Sequence, residues 1–155
     1  ATIFVGMLWI VSGVLLILSF TSPDWKPATY IALELAWALL PVLLQMAFGV
    51  DIIWKYRRVV VPTIIATTLY LSFADALAIS AGTWTINPDQ SLNIFLGGIL
   101  PVEEFIFFLL TNVLVVFGVT LLMSEESRER ANRIIFLRPL TRWVNTKHAK
   151  SESVA

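Results

Sequence analysis

Apolar residues in this chain come in four long blocks, 3–20, 30–48, 59–79 and 96–123, separated by polar and proline-containing punctuation. About 20 apolar residues cross roughly 30 Å of hydrocarbon as a helix, and each block approaches or exceeds that length. A backbone in lipid must satisfy its own N–H and C=O groups, so uninterrupted runs of this kind are helices rather than open strands. The pattern predicts an all-α fold, a polytopic bundle of four transmembrane helices. Thr21-Ser22-Pro23-Asp24 and Lys26-Pro27 end the first block, and residues 82–93, with Pro88, divide the third from the fourth. Pro41 and Pro62 lie within or near the starts of their blocks, and Pro41 is expected to kink the second.

This divides the chain into a four-span membrane unit, residues 1–123, and a tail, residues 124–155. Lys55, Arg57 and Arg58 sit between the second and third spans, and Arg128, Arg130, Arg133, Arg138, Arg142, Lys147 and Lys150 follow the fourth. The two other loops hold only Lys26, so the positive-inside rule places both termini in the cytoplasm. The tail begins with amphipathic character: Ser124 suits a helix cap, Glu125 and Glu126 suit a first turn, and arginines follow. Ile134, Ile135, Leu137 and Trp143 then suit the headgroup layer. A solvated stop-transfer tail is the alternative, and disorder is expected after Lys147.

Composition narrows the function. Of 155 residues, 57% are hydrophobic and 14% charged, against about 25% charged in soluble domains. The net charge is zero, which argues against a nucleic-acid partner. Without cysteine there are no disulfides or thiolate metal sites, and the one histidine, His148, lies in the tail, so no metal centre is expected in the membrane. No Gly-x-Gly-x-x-Gly occurs, which argues against a self-contained dinucleotide site. The first residue is Ala1 rather than Met, as expected of a processed chain or of one cut from a longer protein.

Against this apolar background the acids stand out. Pro101-Val102-Glu103-Glu104 falls inside the fourth block, where an ionised carboxylate costs about 2.5–3.5 kcal/mol by insertion scales. Neighbouring carboxyl groups in low dielectric disfavour each other's ionisation, so one keeps a proton and becomes a general acid. With the predicted orientation, Glu34 lies about one turn inside the second span and Asp75 about one turn from the end of the third. Glu103 and Glu104 come roughly two turns into the fourth. All four acids then share one depth in the extracytoplasmic half. Adjacent helical positions diverge by about 100°, so Glu103 and Glu104 face different neighbours. Each acid also has a structural alternative: Glu34 in snorkelling or pairing with Lys26, Asp75 in capping a helix end, and the Glu pair in a purely structural role.

Polar and aromatic side chains cluster with the acids. Trp84, Thr85 and Asn87 lie in the loop, Phe105, Phe107 and Phe108 follow the Glu pair, and Thr111 and Asn112 lie two turns further on. Aromatic faces in a dry cavity stabilise a cation by about 2 kcal/mol. Interface tryptophans and lipid-facing phenylalanines account for the same residues without a site.

Leu69-Tyr70-Leu71, then Asp75, then Gly82-Thr83-Trp84-Thr85-Ile86-Asn87-Pro88, then Gly97-Gly98-Ile99-Leu100-Pro101-Val102-Glu103-Glu104-Phe105-Ile106-Phe107-Phe108-Leu109-Leu110-Thr111-Asn112 resembles the membrane-integral, flavin-independent lycopene cyclases. These occur as paired small subunits in some bacteria and as single or fused chains in archaea and fungi. The resemblance extends more weakly through Trp37 to Gly49 and the first span. It implies a redox-neutral cyclisation of the ψ-ends of lycopene by one acid and one base, without cofactor. It assigns catalysis to Glu103, Glu104 and Asp75, with Glu104 handling the proton, Glu103 as its partner and Asp75 as orienting acid or base. Substrate contacts fall to Trp84, Phe105, Phe107, Phe108, Asn112 and Glu34. The family carries two related repeats, each with a Pro-x-Glu-Glu-like segment, and this chain has one such segment. A partner subunit, a missing half or a homodimer is therefore expected to supply the other.

Other readings remain beside this one. A proton-coupled transporter subunit predicts a polar path through the whole membrane. A non-catalytic assembly subunit needs no intramembrane acid. A cyclase of C50 carotenoids shares every feature above, and β- and ε-ring formation are not separated by the residues.

Overall fold

A computed structural model of the chain describes residues 2–134, and its helices follow the apolar blocks closely. Helix α1 is Thr2–Thr21, α2 Thr29–Lys55, α3 Arg57–Ser80 and α4 Val102–Met123, all long and apolar enough to cross a membrane. The molecule is an all-α membrane helix bundle. A 3₁₀ segment, Pro23–Ala28, joins α1 to α2, and a short antiparallel hairpin, β1 (Phe95–Leu96) and β2 (Leu100–Pro101), precedes α4. Residues up to Leu121 form one compact unit; helix α5, Glu125–Ile134, belongs to a second. Within α5, Arg128 pairs with Glu125 at 3.3 Å and Arg133 with Glu129 at 3.8 Å, exposed pairs that contribute little stability. Ile135, Leu137, Trp143 and the segment after Lys147 lie outside the described residues.

Pro41 sits inside α2, whose one non-helical residue is Gly49 (φ −158°, ψ 44°). Proline's fixed φ fits a helix and removes only one hydrogen bond, which membrane helices tolerate. Gly49 lies against α4, for a Cβ there would stand 2.6 Å from Leu121 Cδ2. One expectation needs correction: the first six residues of the fourth block are not helical. Leu96 to Ile99 form a turn closed by Ile99 N–H donating to Leu96 O at 3.2 Å, with Gly97 at φ +60° and Gly98 at φ +73°. Positive φ at both central positions defines a type I′ turn, which glycine adopts without steric cost. The helix starts only after Pro101. Glu103 and Glu104 therefore occupy the first turn of α4, not a position two turns inside it.

Helix α1 packs along α2 through small residues, with Ala32, Ala38 and Ser12 fully buried. Trp9 Nε1 donates to Ala36 O at 2.9 Å across that contact. Such bonds between membrane helices contribute about 0.6 kcal/mol on average, and small residues allow the close approach. Helices α2 and α3 reverse around Tyr56 alone, whose N–H donates to Ile52 O while its carbonyl accepts from Val59 and Val60. An apolar core of Ile52, Ile53, Val60, Ile64 and Leu121 fills the bundle at that end. Arg57 there covers the Trp54 ring at 4.9 Å, an aromatic and basic girdle suited to a membrane interface. Outward faces are apolar, with Phe4, Ile10, Leu44, Leu69 and Phe73 exposed, as lipid contact requires.

Candidate active site

The acids gather at the end of the bundle opposite that core. Glu34 lies five residues into α2, Asp75 five residues before the end of α3, and Glu103 and Glu104 in the first turn of α4. Three helices of alternating direction thus deliver carboxyl groups to one end. Glu34 is within electrostatic range of Glu104 and Glu103, and Glu104 of Asp75 and Glu103. The first turn of α4 also presents unpaired backbone N–H groups and the positive end of the helix dipole, a favourable setting for carboxyl groups.

The two neighbouring glutamates differ sharply. Glu103 is fully buried, and its Oε1 accepts from Ser91 Oγ at 2.9 Å and from Leu92 N–H at 2.6 Å. Glu104 is half-buried and makes no hydrogen bond among the described residues. Trp84, at the start of the α3–α4 connection, lies close enough to Asp75 to influence its carboxyl group. Glu34 Oε2, Asp75 Oδ2 and Glu103 Oε2 are buried without a partner among the described residues. Glu34 and Lys26 form no ion pair among those residues, so pairing with Lys26 does not account for Glu34. No group of three or more metal-ligating side chains occurs among them either.

Below the acids runs a polar seam. Thr68, Ser72 and Asp75 share one face of α3 at i, i+4 and i+7, with Thr68 and Ser72 buried. Glu104, Phe108 and Thr111 share a face of α4 in the same way. Asn112 Nδ2 donates to Thr68 Oγ1 at 3.2 Å and to Phe108 O at 2.8 Å, tying α4 to α3. Gln45 Nε2 donates to Leu114 O at 3.1 Å, tying α2 to α4. Phe107 meets Trp37 at 6.4 Å and Phe108 edge-on at 5.6 Å, an aromatic wall beside the acids. Phe105, on the same turn, is half-buried.

Sequence reasoning named Glu34, Asp75, Trp84, Glu103, Glu104, Phe107 and Phe108, and the fold brings them to one end of the bundle. It missed Ser91, Ser72, Thr68 and Gln45. Ser72 and Thr68 were signalled by their helical spacing from Asp75, and Gln45 by its place in an apolar span. Ser91 had no sequence signal, because its partner is 12 positions away across a turn.

The protein is thus a membrane helix bundle carrying a carboxyl cluster at one end. Its sequence is 44% identical over 94 residues to the "Bifunctional lycopene cyclase/phytoene synthase" of Podospora anserina, covering 59% of this chain and 16% of that protein. It is 42% identical over 92 residues to the protein of the same name in Leptosphaeria maculans, covering 58% and 16%. It is 40% identical over 92 residues to the "Lycopene beta-cyclase" of Halobacterium salinarum, covering 59% and 38%. These relatives carry the name of the family that the Pro-x-Glu-Glu region resembles, and the matched stretch spans well under half of their lengths. No family model and no solved structure matches the chain.

Proposed function

We propose that the chain is one repeat of a carotenoid cyclase that closes the ψ-ends of lycopene into β-type rings with no net redox change. The carrying observation is the cluster of Glu34, Asp75, Glu103 and Glu104 beside an aromatic wall, in a chain similar to lycopene cyclases. Glu104, without a hydrogen bond among the described residues, delivers a proton to C2 of the terminal C1=C2 bond and leaves a tertiary cation at C1. The C5=C6 bond attacks C1, and the cation moves to C5. Asp75, beside Trp84, removes the C6 proton and completes the β-ring. Trp37, Phe107 and Phe108 offer π-faces to the cation, each worth about 2 kcal/mol where desolvated. One proton enters and one leaves, so the chemistry asks for no flavin or nicotinamide. Substrate arrives from the bilayer, where an acyclic carotenoid already dissolves.

A proton-coupled transporter would need the polar seam to continue. It ends near Asn112 and Gln45, above the apolar core of Ile52, Ile53, Val60, Ile64 and Leu121. That favours chemistry at one end over transport.

The four helices place one acid cluster at one end and keep apolar outward faces, so a second repeat is the partner that closes the cavity around a long polyene. The test is expression in a lycopene-accumulating host, alone and with a first-repeat partner, followed by pigment analysis. Cyclic carotenoid is expected only from the pair. Acyclic pigment in both strains overturns the cyclase reading, and rings from the chain alone overturn the need for a partner.

A further inference from the structure

We infer that Glu103 is a positioning residue whose carboxylate latches residues 91–93 of the α3–α4 connection and thereby keeps water from the carbocation. The inference rests on the cyclase reading above. Glu103 Oε1 takes both Ser91 Oγ and Leu92 N–H, and Glu103 and Ser91 are both fully buried. Ser91 Oγ in turn accepts from Asn93 N–H at 3.1 Å. Asn93 adopts φ +57° and braces the turn by donating from Nδ2 to Pro88 O at 2.9 Å and Ser91 O at 3.0 Å. Val102 N–H, at the start of α4, donates to Ile94 O at 2.8 Å. The beginning of the same connection brings Trp84 near Asp75. The connection is thus tied to one acid of the cluster and lies beside another, and Glu104 follows directly on the anchor.

This division of labour explains why two adjacent carboxyl groups are present. Glu103 Oε1 accepts both hydrogen bonds where water is excluded, and the low dielectric makes each of them strong, so the side chain holds the connection firmly. Glu104 keeps its oxygens for the substrate. A loosened connection has a specific chemical consequence. Water reaching the C1 cation bonds through oxygen to C1 and loses a proton to the base. The elements of water are then added across C1=C2, and the product is an acyclic tertiary alcohol, with no oxidant or reductant involved.

The experiment uses the full chain with its partner repeat in a lycopene-accumulating host, and separates cyclic pigment, unreacted lycopene and tertiary alcohol by chromatography. Ser91→Ala removes the hydroxyl, Ser91→Thr restores one, and Asn93→Gly keeps the positive φ while removing the brace at an exposed position. Ser91→Ala is expected to lower cyclic pigment about tenfold, the effect of one buried hydrogen bond, and to divert product into the alcohol. Asn93→Gly is expected to produce the alcohol in smaller amount, and Ser91→Thr to suppress it. If Ser91→Ala does not accumulate, Asn93→Gly decides the matter. Variants that give only cyclic pigment and unreacted lycopene overturn the latch. Absence of rings from the unaltered pair overturns the cyclase reading and the latch with it.

Discussion

One residue of separation gives Glu103 and Glu104 different work, because a helix turns its successive side chains by about 100°. Glu103 is turned into the α3–α4 connection and Glu104 toward Asp75. The substitution series follows from that geometry. Glu104→Gln removes the proposed proton donor and is expected to lower cyclisation at least about 100-fold, within the range for general-acid loss, at normal accumulation. Glu103→Gln keeps an oxygen that accepts from Ser91 and Leu92, and cyclisation is expected to survive within about tenfold. Glu103→Ala leaves the buried Ser91 hydroxyl without its acceptor, at a cost of about 1–3 kcal/mol, frees the Leu92 N–H, and is expected to depress the melting temperature of the purified protein. Pigment yield normalised to protein level, with thermal unfolding in detergent, measures all three. Full activity in Glu104→Gln with loss in Glu103→Gln would reverse the assignment. The acids themselves were legible in the sequence because a carboxyl group in an apolar block demands a reason. Their division of roles was not, since it depends on Ser91.

At the scale of elements, hydropathy marked all four helices but placed the start of α4 too early. Leu96, Ile99 and Leu100 are as apolar as any helical residue, so the block looks continuous, and the Gly97-Gly98 pair is the only local sign of the hairpin. A Cβ at Gly97 would meet nothing within 4 Å, so substitution there tests the backbone alone. Gly97→Ala is expected to destabilise by about 1–2 kcal/mol through the positive φ, while Gly97→Asn, whose side chain tolerates that region, is expected to lose less. Thermal unfolding of the two variants in detergent checks the order. Equal stabilities would show that the turn does not hold this conformation. Helix α2 also runs further than its apolar block, through Asp51 to Lys55, because Ile52 and Ile53 beyond Asp51 still pack into the apolar core.

For the whole molecule, the bundle has an acid end and a basic end. Lys55 and Arg57 flank the single-residue reversal at Tyr56, and the carboxyl cluster lies at the other extreme. By the positive-inside rule we propose that the acids lie on the extracytoplasmic side. The chain has no cysteine, so single substitutions report cleanly. Cysteines placed at Asp89 and at Lys147 are expected to be labelled from opposite faces by an impermeant reagent. Labelling from the same face would remove the predicted orientation and the extracytoplasmic placement of the site.

The sequence by itself determined the number of spans, the all-α class and the intramembrane acids, since the lack of water in lipid makes apolar length and buried charge decisive wherever they occur. It also carried the family resemblance, because the Pro-x-Glu-Glu segment and its spacings are local. Only the tertiary structure decided which acid is tied down. It also decided that Asn112 and Gln45 join helices and that α2 departs from helical geometry at Gly49. Hydrogen-bond partners such as Ser91 and Glu103, or Thr68 and Asn112, are remote in the chain. They meet only after the helices pack, and the low dielectric around them then makes each such meeting strong.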